Sequence, residues 1–237
     1  RQTHCSLLEM VADKGRTGEY ETYCKLRTLD GIKRFLFNVY IPKEGGGTSE
    51  IDVILLHHSG LYILESKNYS GWIFGKESDR TWTQSLPTGQ GRSNKQHFLN
   101  PVLQNAGHIK WLLRYLKQDS LPTHSYIVFS DRCELKSIQM TNCIHHVVKR
   151  NDLYDAIRED AKQHCGLLSD AQIEQLFHAL YPLSQATEAQ KQAHIGRIGI
   201  CTAENAAESP VPPQAGADSA PGAAISQTDV LPTVKLS

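Results

Sequence analysis

The stretch "EIDVILLHHSGLYILESK", residues 50–67, decides how this chain is read. Two leucine-rich, β-branched runs flank "HHSG", whose Ser-Gly pair is a turn signal, so the segment reads as a β-hairpin. A turn symmetric about His58 and Ser59 sets Leu56 against Leu61, Ile54 against Ile63 and Asp52 against Glu65. Strand side chains alternate, so Glu65 and Lys67 share a face and Ser66 points away. Directly opposed residues of an antiparallel pair stand about 5 Å apart at Cβ, where like charges destabilise the sheet. Two facing carboxylates at the end of an apolar ladder need a cation, and hard oxygen ligands suit Mg²⁺ or Mn²⁺. Lys67 then lies beside whatever that ion holds.

A plainer alternative stays open on these residues. Glu50 opposes Lys67 in the same register, which would make a surface ion pair with Asp52 and Glu65 simply solvated. A longer or shorter loop would also shift the register and separate the acids.

Composition bounds the rest. The chain has 237 residues, 25 acidic and 25 basic, with 40% apolar content: enough for one sizeable core, with room for a small appendage. Balanced charge gives no support for a strongly basic nucleic-acid binder. Six cysteines without a C-x-x-C pair read as reduced thiols of a cytoplasmic protein, not a disulfide frame or zinc ribbon. No run approaches the roughly 20 apolar residues of a membrane span. A start at Arg1 reads as a fragment, which leaves an upstream anchor or signal open.

Along the chain, "TGEYETYCKLRTL" is expected to be a helix with Tyr23, Leu26 and Leu29 on one stripe. Glu19 lies on that stripe in the expected first turn, where it either serves the helix dipole or faces a metal. "RFLFNVYI" reads as a strand, and residues 68–99 as a short strand pair with loops. Asn100-Pro101 opens a helix whose core stripe is Val102, Ala106, Ile109, Leu113 and Leu116. Gln104, His108, Trp111 and Tyr115 form a second stripe, for packing or for contact with substrate. "SYIVFS" and "CIHHVV" read as strands around a "DRCELKSIQMTN" loop, followed by helices near 151–163 and 169–181. Neither His57-His58 nor His145-His146 has a third ligand at zinc spacing. The organisation expected is a lead-in over 1–13, a domain over 14–183 and a disordered Ala/Pro/Ser/Gly-rich tail over 184–237. The element order makes this an α/β chain with a mixed central β-sheet flanked by helices.

"GEYE", "EIDVILLHHSGLYILESKNYSGWIFG", a later Trp and "NPVLQNAGHIKWLLRYL" together resemble the nuclease-related domain over approximately residues 14–117. That family belongs to the restriction-endonuclease-like superfamily, whose signature is an acid followed by Asp/Glu-x-Lys. The resemblance implies a restriction-endonuclease-like core and marks Asp52, Glu65 and Lys67 as catalytic, Glu19 as the supporting helix acid and Gln104 as the polar residue of the next helix.

The activity it implies is metal-dependent hydrolysis of phosphodiester bonds, of DNA foremost, in DNA processing or defence. Asp52 and Glu65 would hold Mg²⁺ or Mn²⁺ with the backbone carbonyl of Ser66, and Glu19 is a further candidate ligand. Lys67 would orient or deprotonate water, or stabilise charge on phosphorus. A non-catalytic nucleic-acid-binding or regulatory module on the same fold is the alternative. Its groove would draw on a loose basic set, Lys76, Arg80, Arg92, Lys95 and Lys110, which otherwise reads as scattered solvated charge.

Overall fold

The computed structural model describes residues 14–89, 91–141 and 144–196, with side chains from Gly18 onward. The lead-in over 1–13 and the tail beyond 196 lie outside the described residues. A first helix, α1 (Lys14–Leu26), precedes the meander β1 (Lys33–Pro42), β2 (Thr48–His57) and β3 (Gly60–Lys67). Three further strands follow, β4 (Gly71–Lys76), β5 (Thr81–Gly89) and β6 (Arg92–Leu99), and then α2 (Pro101–Leu116). The chain continues through β7 (Thr123–Phe129), β8 (Cys133–Gln139), β9 (His145–Lys149), α3 (Leu153–Gln163) and α4 (Asp170–Leu180).

The central sheet runs β1-β2-β3-β7-β9, antiparallel through β3 and parallel beyond it. Parallel pairing needs crossovers, and α2 supplies the one between β3 and β7. On one face Ile54, Leu56, Leu61 and Ile63 pack against Leu112 of α2 and Ile173, Leu176 and Leu180 of α4. On the other, Leu55, Tyr62, Leu64, Tyr126 and Val128 pack against Leu26 of α1 and Leu153 and Ile157 of α3. Strands buried on both faces read as continuous apolar runs, which explains the composition of the hairpin. The fold is the expected α/β architecture with a mixed central sheet between helices.

A second sheet, β6-β5-β4-β8, was not expected in this form. Residues 68–99 supply three strands, not two, and "CELKSIQ" is a strand and not a loop. Both outer strands of this sheet are largely exposed; β6 is polar up to Phe98, and in β8 an extra residue at Lys136 breaks the inward alternation of Cys133, Leu135 and Ile138, so neither shows the clean pattern that marks a strand. Their backbones are held by β5 and β4 instead. Trp82 of β5 is fully buried, stacked on Phe129 of β7 with centroids 6.1 Å apart, which joins the second sheet to the first.

Three further expectations are corrected. The chain is already helical at Lys14, so Glu19 lies beyond the first turn and is no cap for the dipole. The buried face of α2 is Val102, Asn105, His108 and Leu112, rotated away from the Val102–Leu116 stripe towards the second one, and Tyr115 is exposed. Order also persists past residue 184: residues 188–196 are helical, with His194 buried against Tyr40 and Thr48.

Candidate active site

The register of β2 and β3 holds from His57–Gly60 to Val53–Leu64 and then stops, one pair short of Asp52–Glu65. The Asp52 carboxylate takes over the next ladder position by accepting the Ser66 N–H at 2.7 Å. Within a strand the N–H and C=O of one residue point to the same neighbour, so the Ser66 carbonyl also turns into this gap.

A matching break lies on the other side of β2. Phe37 pairs with Val53 and Val39 with Ile51, but the row holding Asn38 and Asp52 does not pair. Asn38 has a left-handed backbone, φ 50°. Leu36 and then Val39 and Ile41 face the α2 side, as do Ile51 and then Ile54 and Leu56, so each strand slips its alternation by one residue in this row. Asp52 therefore sits between the two faces of the sheet, partly buried, and not squarely on the face of Glu65. From α1, Glu19 reaches the same row, with Asn38 Nδ2 donating to its Oε2 at 3.0 Å.

Glu65 is 3% exposed and its two oxygens are divided. Lys67 Nζ donates to Oε1 at 2.6 Å, and His108 Nε2 lies 3.2 Å from Oε2. The ammonium of Lys67 also donates to Gln104 Oε1 at 3.1 Å. His108 is fixed from behind by Ser49 Oγ, 2.7 Å from its Nδ1. The surface-pair alternative fails here: Glu50 engages Tyr40 Oη at 2.7 Å and His194 Nε2 at 3.4 Å.

The helices are pinned to this geometry. Asn100 caps α2 by accepting the Val102 N–H, while its amide donates to the carbonyls of Glu77 and Asp79 at the end of β4. That fastening sets the rotation which brings Gln104 and His108 to the sheet. At the other end of the row, buried Arg150 pairs with Glu21 of α1. Among the described residues, the Nε and Nη2 atoms of Arg150 and the Ser66 hydroxyl, all buried, have no hydrogen-bond partner. Gly18 gives them room, since a Cβ there would lie 2.9 Å from Ser66 Oγ and 3.1 Å from Arg150 Nη2.

Charge follows from this crowding. Burial, then the carboxylates of Glu65 and Glu19, push Asp52 well above its ordinary range. Burial would also raise Glu65, but Lys67 and His108 outweigh it and hold the carboxyl low. For Lys67, burial favours the neutral amine, yet Glu65 and Asp52 overcome it and keep the ammonium charged.

The sequence profile of the nuclease-related domain matches residues 14–130. An uncharacterized protein of Bacillus anthracis is 32% identical over 168 residues, covering 70% of this chain and 75% of that protein. The chain belongs to the nuclease-related domain family. No solved structure matches it. Glu19, Asn38, Asp52, Glu65, Lys67, Gln104 and His108 all lie within the matched stretch, whereas Arg150 lies beyond it.

Of the expected residues, the nuclease-related domain brings Glu19, Asp52, Glu65, Ser66, Lys67 and Gln104 together at the C-terminal end of β3. Three basic residues proposed for nucleic acid are not gathered. Lys76 ends β4 beside the Thr81–Leu99 row, and Arg92 lies seven residues away along β6, about 23 Å. Arg92 and Lys95 are both exposed but alternate in facing. Sequence reasoning set His108 on the stripe of Gln104, for packing or contact with substrate, but missed its contact with Glu65. It also missed Asn38, for which "LFNVY" holds no signal beyond an asparagine, a residue that tolerates the left-handed region.

Proposed function

We propose that this member of the nuclease-related domain family hydrolyses phosphodiester bonds, of DNA foremost, with Mg²⁺ or Mn²⁺ as its ion. The observation that carries this reading is the meeting of Asp52, Glu65 and Lys67 at the end of β3, with Gln104 and His108 in contact from α2. The donor set fits a hard cation. Three carboxylates crowd one row with a backbone carbonyl, and the upward shift of Asp52 marks a place short of positive charge.

Asp52, Glu65 and the Ser66 carbonyl would hold the ion, and Glu19 is available to a second. When bound it supplies Lewis acidity and positive charge at the phosphate. The protein's own groups do the rest. Lys67 keeps its proton, which suits a donor to the charge growing on a phosphate oxygen better than a general base. Gln104 fixes where that ammonium points, and His108 holds the second oxygen of Glu65 so that the carboxylate cannot turn away. The free thiols of Cys24, Cys133 and Cys165 suit a reducing compartment, the cytoplasm. Among the described residues no helix is long and apolar enough to cross a membrane.

The test is digestion of linear duplex, circular duplex, single-stranded DNA and RNA, each with Mg²⁺, Mn²⁺ or chelator. Cleavage that needs the ion and disappears in Lys67→Ala and Glu65→Ala supports the proposal. Metal-independent binding without cleavage of any substrate overturns it in favour of a binding module.

A further inference from the structure

A second cluster of ligand-type side chains lies on the opposite face and at the opposite end of the central sheet. His124 of β7 pairs in register with Tyr62, five residues of strand and about 17 Å before the Lys67–Phe129 row. Its ring Nδ1 lies 2.9 Å from Asp160 Oδ2, and the other oxygen of Asp160 lies 2.8 Å from Nδ1 of His164, which also stands 3.0 Å from the Asp160 carbonyl oxygen. Asp160 belongs to α3 and His164 caps that helix, four residues on. Among the described residues these three are the only group of His, Cys, Asp and Glu whose ligand atoms all fall within 4.8 Å of one another.

The grouping of these three side chains is what points to a ligand, and the hydrogen bonding around His124 orients its ring for one. Its Nε2 lies 3.0 Å from the carbonyl oxygen of Ser59, which can only accept, so Nε2 carries the hydrogen. Its Nδ1 then faces a carboxylate oxygen at 2.9 Å, a contact that needs positive charge between the two atoms, supplied either by a second ring proton or by a metal ion that displaces it. Binding the remote ring nitrogen to a backbone carbonyl is also how metal-ligating histidines are oriented. Tyr62 stacks on the His124 ring at 4.5 Å, and the Tyr126 hydroxyl donates to Asp160 Oδ2 at 3.2 Å, so two of the three ligands are held from outside. Ligands about 2.1 Å from a tetrahedral ion stand about 3.4 Å apart, so small shifts of these groups admit one. The third ligand, His164, is 43% exposed and leaves an entry path.

The geometry points to a transition-metal site, Zn²⁺ foremost, formed by His124, Asp160 and His164. Two imidazoles and one carboxylate suit zinc and are a poor match for Mg²⁺. Such an ion ties the end of α3 to β7 and, through Ser59, to the β2–β3 turn. It is a structural clamp, independent of the nuclease reading above.

The test is calorimetric titration of metal-stripped protein with Zn²⁺ in excess Mg²⁺, which keeps oxygen-only sites occupied. One Zn²⁺ should bind per chain and raise the melting temperature. His164→Ala, at an exposed position, should keep the fold but weaken binding about tenfold or more, and Asp160→Asn should weaken it further. Co²⁺ should give tetrahedral absorption bands in the wild type that are lost in His164→Ala. Failure of the wild type to bind Zn²⁺ reduces the cluster to ion pairs and overturns the inference. Equal binding by wild type and His164→Ala puts the ion elsewhere and overturns it too.

Discussion

Asn38 and Asp52 stand in one row of the β1–β2 ladder, and that row alone between Lys33 and Pro42 does not pair. The left-handed turn of Asn38 on one strand and the side-chain bond of Asp52 to Ser66 on the other open the sheet at this point. What fills the opening is carboxylate.

Asp52 should cost stability and supply function. Its carboxyl is pushed above an ordinary value of 3.8, so the folded state favours the proton. The stabilising contribution is complete below that value and is lost as pH rises through the raised one. Asp52→Asn keeps an oxygen for the Ser66 N–H without the charge. At neutral pH and without metal it should melt higher than wild type, by about 2–4 °C for each kcal/mol gained. It should also abolish cleavage and any stabilisation by Mg²⁺. Melting curves against pH check this, and a variant less stable than wild type at neutral pH contradicts it.

Glu65 has the opposite sign. Lys67 and His108 hold its carboxyl below an ordinary 4.5 in spite of burial, so its contribution is present above that value and fades as pH falls through the depressed one. Glu65→Gln should therefore lower the melting temperature at neutral pH, and the deficit should shrink in acid. A deficit constant from neutral to acid pH would count against the ion pair.

Removing the ammonium should touch chemistry more than binding. Lys67→Ala is expected to lose about 10²–10⁴-fold in cleavage rate while divalent-ion affinity changes little. Single-turnover rates at saturating Mn²⁺ decide it. A comparable fall in Mn²⁺ affinity would mean that the lysine serves only to organise the carboxylates.

His108 touches Glu65 and, under the proposed function, should act through it. His108→Ala should raise the Mg²⁺ concentration needed for half-maximal activity by about 10–100-fold, and His108→Gln, which restores an N–H, should recover part of it. An unchanged metal requirement in the alanine variant removes this role.

The second sheet rests on one close approach. A Cβ on Gly75 would overlap the Trp82 ring, which is buried and stacked on Phe129. Gly75→Ala should destabilise the protein by about 1–3 kcal/mol and alter tryptophan emission. An undisturbed spectrum with wild-type stability would show that the ring has room to move.

The hairpin was legible because burial on both faces makes a strand continuously apolar, and "HHSG" fixes the register between its two strands. Glu65 and Lys67 needed no more than alternation. Asp52 was placed in the right row for an incomplete reason, because the slip at Asn38 depends on a backbone conformation that sequence alternation cannot express. The facing of α2 was misjudged for a related cause. Asn105 and His108 are polar residues buried because the Ile63 carbonyl, Ser125, Ser49 and Glu65 satisfy them, and no hydrophobic stripe reveals such partners. β6 escaped notice because an edge strand can be polar along most of its length, and β8 because the extra residue at Lys136 interrupts its alternation of apolar residues.

The tension at Asp52 bears on descent. Under the proposed function, where selection for cleavage lapses, exchange of this aspartate for asparagine should remove the activity and improve folding in one step. Lineages that have abandoned the chemistry should therefore lose Asp52 early, while Glu65 and Lys67, which hold each other in place, persist as relics.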